Sequence, residues 1–130
     1  MPPLNRDYWY WLGLGMTTTP EMYRILADKT AELRVFEDKK GRMNCSVEDA
    51  RGALLVVSQS TLFGDARRGR RPNFRDAANS TKAELLYSQF VEQLQSRGLK
   101  VKTGVFQTAM QIDLVNYGSV TILLVSEKIF

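Results

Sequence analysis

Histidine is absent from all 130 residues. That gap removes the Ser-His-Asp and Cys-His arrangements, and with them the usual general base near neutral pH. Only one cysteine is present, Cys45, so there is no internal disulfide framework and no His/Cys set of the kind from which zinc sites are mainly built. No metal and no cofactor is expected. The lone thiol reads as a tolerated structural group rather than a nucleophile, and it fits a reducing compartment, most simply the cytoplasm. Long apolar runs are missing too. The aromatic stretch Tyr8-Trp9-Tyr10-Trp11-Leu12-Gly13-Leu14 is too short to span a bilayer, and it lacks the basic start and cleavage site of a signal peptide. A membrane partner is not expected. There is no internal repeat and no low-complexity stretch. Any hydrolysis by this chain must draw on hydroxyls, backbone groups, carboxylates or the substrate itself.

What is present is the composition of an ordinary folded chain, 44% hydrophobic and 25% charged, at a length that suits one domain over residues 1–130. Eighteen basic against 14 acidic residues give a net charge of +4, a slight leaning towards an anionic partner. Tyr8 to Leu14 predicts a strand. A helix from about Pro20 to Leu33 follows, entered through Thr18-Thr19-Pro20-Glu21, with Met22, Ile25, Leu26 and Leu33 as its apolar stripe. Arg34-Val35-Phe36 predicts a short strand closed by the turn Asp38 to Gly41. Ala53 to Gln59 is a continuous β-branched and aliphatic run, the pattern of a strand buried on both faces. A polar loop from Gly64 to Asn79 precedes a second helix, about Thr81 to Arg97, with Thr81 and Glu84 at capping spacing, Leu86, Phe90, Val91 and Leu94 on one face, and Gly98 as its stop. Met110, Ile112 and Leu114 alternate with polar residues, a turn covers Asn116 to Ser119, and Val120 to Val125 predicts a last strand. Two helices against a largely antiparallel sheet or partial barrel make an α+β fold.

Three segments could carry chemistry. Ser58-Gln59-Ser60-Thr61 ends the buried strand, where functional groups are often delivered to a loop, although the same residues could serve only a turn. Arg67-Arg68-Gly69-Arg70-Arg71-Pro72-Asn73-Phe74-Arg75 places five arginines in nine residues, either a phosphate-binding loop or a solvated charge run. Phe74 would stack on an unpaired base or anchor the loop. Asn116-Tyr117-Gly118-Ser119 needs no more than glycine's permissiveness to form a turn.

These segments occur together in an order that resembles the D-aminoacyl-tRNA deacylase family. Ser58-Gln59-Ser60-Thr61-Leu62 resembles that family's Ser-Gln-Phe-Thr-Leu motif. Phe63 to Phe74 resembles the loop that follows it, and Met110 to Thr121 resembles a second motif containing Asn-X-Gly-Pro-Val-Thr. Arg34 to Asp38, Gly41 to Asn44 and Thr103 to Phe106 are further matches, so the likeness runs from about Trp11 to Ile122. It implies a carboxylic ester hydrolase that cleaves D-aminoacyl-tRNA and glycyl-tRNA in translation quality control. It also implies a homodimer with each active site at the subunit interface. Carried onto this chain, Thr61, Gln59 and Ser58 become the catalytic segment, and Ser60, Phe106 and Met110 the wall of the adenosine and aminoacyl pocket. Asn116, Gly118 and Ser119 become the chiral screen, supplied by the second subunit. Arg67, Arg68, Arg70 and Arg71 would face the acceptor stem.

Three features depart from the family pattern. Ser60 replaces the phenylalanine of the first motif, removing an apolar wall while keeping its backbone amide. Ser119 replaces the proline of a Gly-Pro dipeptide whose cis bond the family uses. A cis bond before a non-proline residue costs about 2.5–4 kcal/mol against about 0.5–1 before proline, so a trans Gly118–Ser119 bond is expected. The strand pair that usually opens the family fold is missing ahead of Tyr10. Two alternatives therefore stand beside the active D-selective enzyme: an editor with relaxed stereochemistry, or a non-catalytic nucleic-acid-binding or dimerisation module.

Overall fold

The apolar run Ala53–Ser58 (β4) lies at the centre of a three-stranded sheet, where both faces can be covered. The computed structural model describes residues 7–111 and 120–127. On one side β4 pairs with β1 (Tyr8–Leu12), Trp11 opposite Val57 and Leu12 opposite Ser58. On the other it pairs with β5 (Lys100–Thr103), Leu54 opposite Val101. Both pairings are parallel. Parallel neighbours need long crossovers, and the helices supply them: α1 (Pro20–Glu32) lies between β1 and β4, and α2 (Ser80–Ser96) between β4 and β5. β2 (Phe36–Glu37) and β3 (Met43–Cys45) form a separate antiparallel hairpin. All three main strands therefore point their carboxyl ends the same way, the end at which open parallel sheets leave a crevice.

Two helices on small sheets agree with the expected α+β content, but the direction of the main sheet does not: it is parallel, and no closed barrel forms among the described residues. The doubly buried run of β4 is the pattern that parallel sheets favour. The predicted strand Val120 to Val125 is also absent. Val120 to Leu123 are exposed, Leu123 by 71%, and the run pairs with no strand among the described residues, so it has no ladder to join. Met110 and Gln111 lie outside any strand, and Ile112 to Ser119 fall outside the described residues.

Thr19 caps α1, its hydroxyl accepting from Met22 N at 3.3 Å, with Pro20 in the first turn. The buried face of α1 differs from the predicted stripe. Tyr23, Ala27, Thr30 and Ala31 face inward, whereas Ile25 is 49% exposed. The alanines let α1 approach α2 closely, and Thr30 Oγ1 donates to Leu26 O at 2.7 Å, so its burial leaves no orphan hydroxyl. α2 is capped by Asn79 rather than Thr81, Asn79 Oδ1 accepting from Lys82 N at 2.9 Å. It buries Leu86, Phe90, Val91 and Leu94 as its period predicts, and Gly98 ends it at φ +82°. Arg97, at the C-terminus of α2, bridges Asp28 at 3.2 Å, Glu32 at 3.0 Å and Glu48, tying the far ends of both helices to the turn after β3.

Candidate active site

At the carboxyl ends of the strands lies a cavity of about 530 Å³. Ser58, Gln59, Ser60 and Thr61 form one wall, and Phe106 and Met110, from the segment after β5, form another. The structure thus brings together six of the residues singled out above. Trp11 from β1 and Tyr87 from α2 also line it and were not singled out. An aromatic in an apolar strand or on a buried helix face reads as core, so neither carried a separate signal.

Local packing fixes the segment from Ser58 to Thr61. Gln59 N donates to Leu12 O at 2.8 Å, extending the β1–β4 ladder by one residue before the chain breaks into a 3-10 turn over Ser60–Phe63. Gly64 N closes that turn on Thr61 O at 3.0 Å. The ring of Phe63 sits in a seat made by two glycines. A Cβ on Gly15 would lie 2.7 Å from the ring, and one on Gly13 would lie 3.1 Å from it. Across the cavity, Gly104 lets Met110 Sδ come within 2.8 Å of where a Cβ would stand.

The electrostatics are unusual for a hydrolytic site. Among the described lining residues the only titratable side chain is Tyr87, and burial pushes its phenol up, away from neutrality. Its hydroxyl is committed, donating to Val56 O at 2.8 Å, while its ring lies 6.1 Å from that of Phe106. Among the described residues no carboxylate or amine lines the cavity to take a proton from Thr61. Instead Gln59 Nε2 donates to Thr61 Oγ1, occupying an acceptor position and leaving the hydroxyl proton to be donated outward. The arrangement is suited to polarising a carbonyl oxygen by hydrogen bonding, not to generating an alkoxide nucleophile.

Beside the cavity the arginine loop is folded back on itself. Asp65 and Asn73 form an antiparallel bridge, with N to O distances of 2.8 and 3.0 Å. Arg67 grips the Asp65 carboxylate with Nε at 2.9 Å and Nη2 at 2.8 Å, which holds the carboxyl at about 2. Arg67 therefore shapes the loop, while Arg68, Arg70 and Arg71 are exposed and form no ion pair among the described residues. Gly69 turns the tip at φ +69°. Phe74 packs over Gly64, where a Cβ would lie 3.0 Å from its ring, yet 44% of Phe74 remains exposed. Asn116, Gly118 and Ser119 lie outside the described residues, and with them the Gly118–Ser119 peptide bond.

A parallel sheet with helical crossovers and a histidine-free, hydroxyl-lined cavity at its carboxyl edge defines the structural class. The model of the D-Tyr-tRNA(Tyr) deacylase family matches residues 4–125, and the chain belongs to that family. It is 60% identical over 119 residues to a D-aminoacyl-tRNA deacylase of Symbiobacterium thermophilum, covering 92% of this chain and 79% of the relative. It is 51% identical over 127 residues to one of Thermotoga petrophila, covering 98% and 85%. Among solved structures it is similar to the c-Myc DNA unwinding element binding protein, with a TM-score of 0.71 and 35% identity, covering 78% of this chain and 69% of that one. A structure described as a probable eukaryotic D-amino acid tRNA deacylase shares the fold at a TM-score of 0.65 and 17% identity, covering 76% and 74%.

Proposed function

We propose that this chain hydrolyses the ester of D-aminoacyl-tRNA and glycyl-tRNA, releasing the free amino acid and tRNA as an editor in translation quality control. The observation that carries the reading is the convergence of Ser58, Gln59, Ser60, Thr61, Phe106 and Met110 on one cavity that offers hydrogen-bond donors but, among its described lining residues, no general base. In this reading Thr61, oriented by Gln59 and flanked by Ser58, donates to the scissile carbonyl. Ser60, Phe106 and Met110 line the pocket for the terminal adenosine and aminoacyl group. Arg68, Arg70 and Arg71 meet the acceptor stem, with Arg67 holding their loop in shape.

The active unit is a homodimer of single-domain chains in the cytoplasm, and Asn116, Gly118 and Ser119 of the second copy close the site. Exposed apolar side chains near the cavity, Trp11, Leu62, Val105 and Met110 among them, support a covering partner. No helix among the described residues is long and apolar enough to cross a membrane. The deciding experiment is deacylation of D-tyrosyl-tRNA, glycyl-tRNA and L-tyrosyl-tRNA by the purified chain. Release of D-tyrosine and glycine is the expected result, with L-tyrosine released as well because Ser119 stands in place of the screen's proline. Failure to hydrolyse any of the three would overturn the proposal.

A further inference from the structure

The arginine loop is not the molecule's only basic turn. Between β2 and β3 the chain carries Lys39, Lys40 and Arg42, all exposed and none in an ion pair among the described residues. The one carboxylate of this turn is occupied internally. Asp38 Oδ1 accepts from Lys40 N at 2.8 Å and from Arg42 N at 3.0 Å, which holds its carboxyl below the usual range. Asp38 N donates to Arg42 O at 2.8 Å, Gly41 N to Asp38 O at 3.1 Å, and Gly41 adopts φ +75°. The turn is thus held by its backbone and by Asp38, and its three cationic side chains take no part in holding it. With Asp38, Met43 and Asn44 they line an open concavity of about 540 Å³, in which Asp38 is the one carboxylate and already accepts from two backbone amides, and Arg34 Nη1 steadies Asn44 by donating to its Oδ1 at 3.3 Å. From Arg34 to Asn44 the basic residues are Arg34, Lys39, Lys40 and Arg42 and the acidic ones Glu37 and Asp38, so four less two leaves a net +2.

Connectivity sets this turn apart from the arginine loop. Ser80 and Ala83, at the start of α2, line the cavity, whereas its C-terminal Arg97 is tied to Asp28 and Glu32 late in α1 and to Glu48 just after β3. The hairpin base is therefore at the opposite end of the sheet, and the 17 residues of α2 span about 25 Å.

We propose that the Asp38–Asn44 turn is a second phosphate-backbone contact, gripping tRNA away from the aminoacylated end while the arginine loop grips beside the cavity. This rests on the tRNA reading given above. Lysines on flexible stems act as point charges suited to a repeating phosphate chain, whereas a protein partner would need the aromatic interface core that this turn lacks.

The test uses the full chain and uncharged tRNA, with binding followed by fluorescence anisotropy across a salt series. The triple variant K39A/K40A/R42A should lower the slope of log affinity against log salt by about 2–3 and weaken binding about tenfold near 0.1 M salt. Hydrolysis of a D-aminoacyl-adenosine ester, which fits the cavity but cannot reach the turn, should keep its parent rate. Lys40→Glu alone should weaken tRNA binding more than Lys40→Ala. An unchanged slope and affinity in the triple variant, with the parent still binding tRNA, would overturn the proposal, as would a matching loss of small-ester hydrolysis. A parent chain that binds no tRNA at all is a different result, and it would sink the tRNA reading itself.

Discussion

Among the described residues none beside Thr61 could take its proton, and on the proposed reading its value lies in the hydrogen it donates. Thr61→Val keeps the shape and removes that hydrogen. It should lower kcat on D-tyrosyl-tRNA about a hundredfold with little change in KM, in line with the loss of one preorganised donor at a developing oxyanion. A single-turnover assay reads this directly. Asp65 offers a second residue-scale check. Its carboxyl titrates at about 2 because Arg67 and the loop amide bind its charged form. A group depressed from an ordinary value of 3.8 adds to loop order above that value and loses its contribution as pH falls towards 2. Arg67→Ala should return the Asp65 carboxyl, followed by NMR, towards the ordinary carboxylate range. At Ser119 the expectation is a trans peptide and weak discrimination between D- and L-esters, so Ser119→Pro should sharpen the ratio of D- to L-tyrosyl-tRNA hydrolysis. Strong D-selectivity in the parent chain would show that the screen works without proline.

At the scale of elements, the seat of Phe63 couples the fold to the site. Gly15→Ala puts a Cβ 2.7 Å from the Phe63 ring, so the ring must shift, and we expect the turn that carries Thr61 to shift with it. The expected cost is about 1–3 kcal/mol in a denaturant melt, as for other overpacked positions, with a larger proportional fall in deacylation. Adding Phe63→Leu to that variant should recover part of both. Sequence pattern revealed these elements unequally. β4 and α2 stand out because one is an unbroken run of apolar residues and the other repeats large apolar residues at the helical period. The packed face of α1 does not, since Ala27, Thr30 and Ala31 contribute closeness rather than hydrophobicity, and exposed Ile25 imitates a core position. β5 was hidden for a similar reason: Lys100 and Lys102 dilute a strand whose place is set by the β4 edge. Strand direction depends on how the helices cross over, and the continuous run of β4, a pattern that parallel sheets favour, was the one trace of it in the sequence. The hydroxyl segment of the site was legible because it ends a buried run, whereas Trp11 and Tyr87 look like core until the cavity is seen.

At the scale of the molecule, β1 and β5 are both sheet edges among the described residues, and apolar side chains lie exposed around the cavity. Sedimentation should therefore find a dimer at micromolar concentration. A monomer at high micromolar concentration would leave the site without the residues assigned to the second copy. The absence of an ionising group near neutrality from the cavity lining has a kinetic consequence. Most hydrolases carry their acid and base in the protein, and their rates bend where those groups gain or lose protons. Here Tyr87 is displaced upward and the remaining described walls do not ionise. A plot of log kcat against pH should therefore show no inflection from the protein between about pH 6 and 8.5, and any bend there should follow the substrate's α-amino group and shift when that group is acylated. Such an enzyme would edit at a pace governed by its substrate, indifferent to the small swings in acidity that retune histidine-based catalysts.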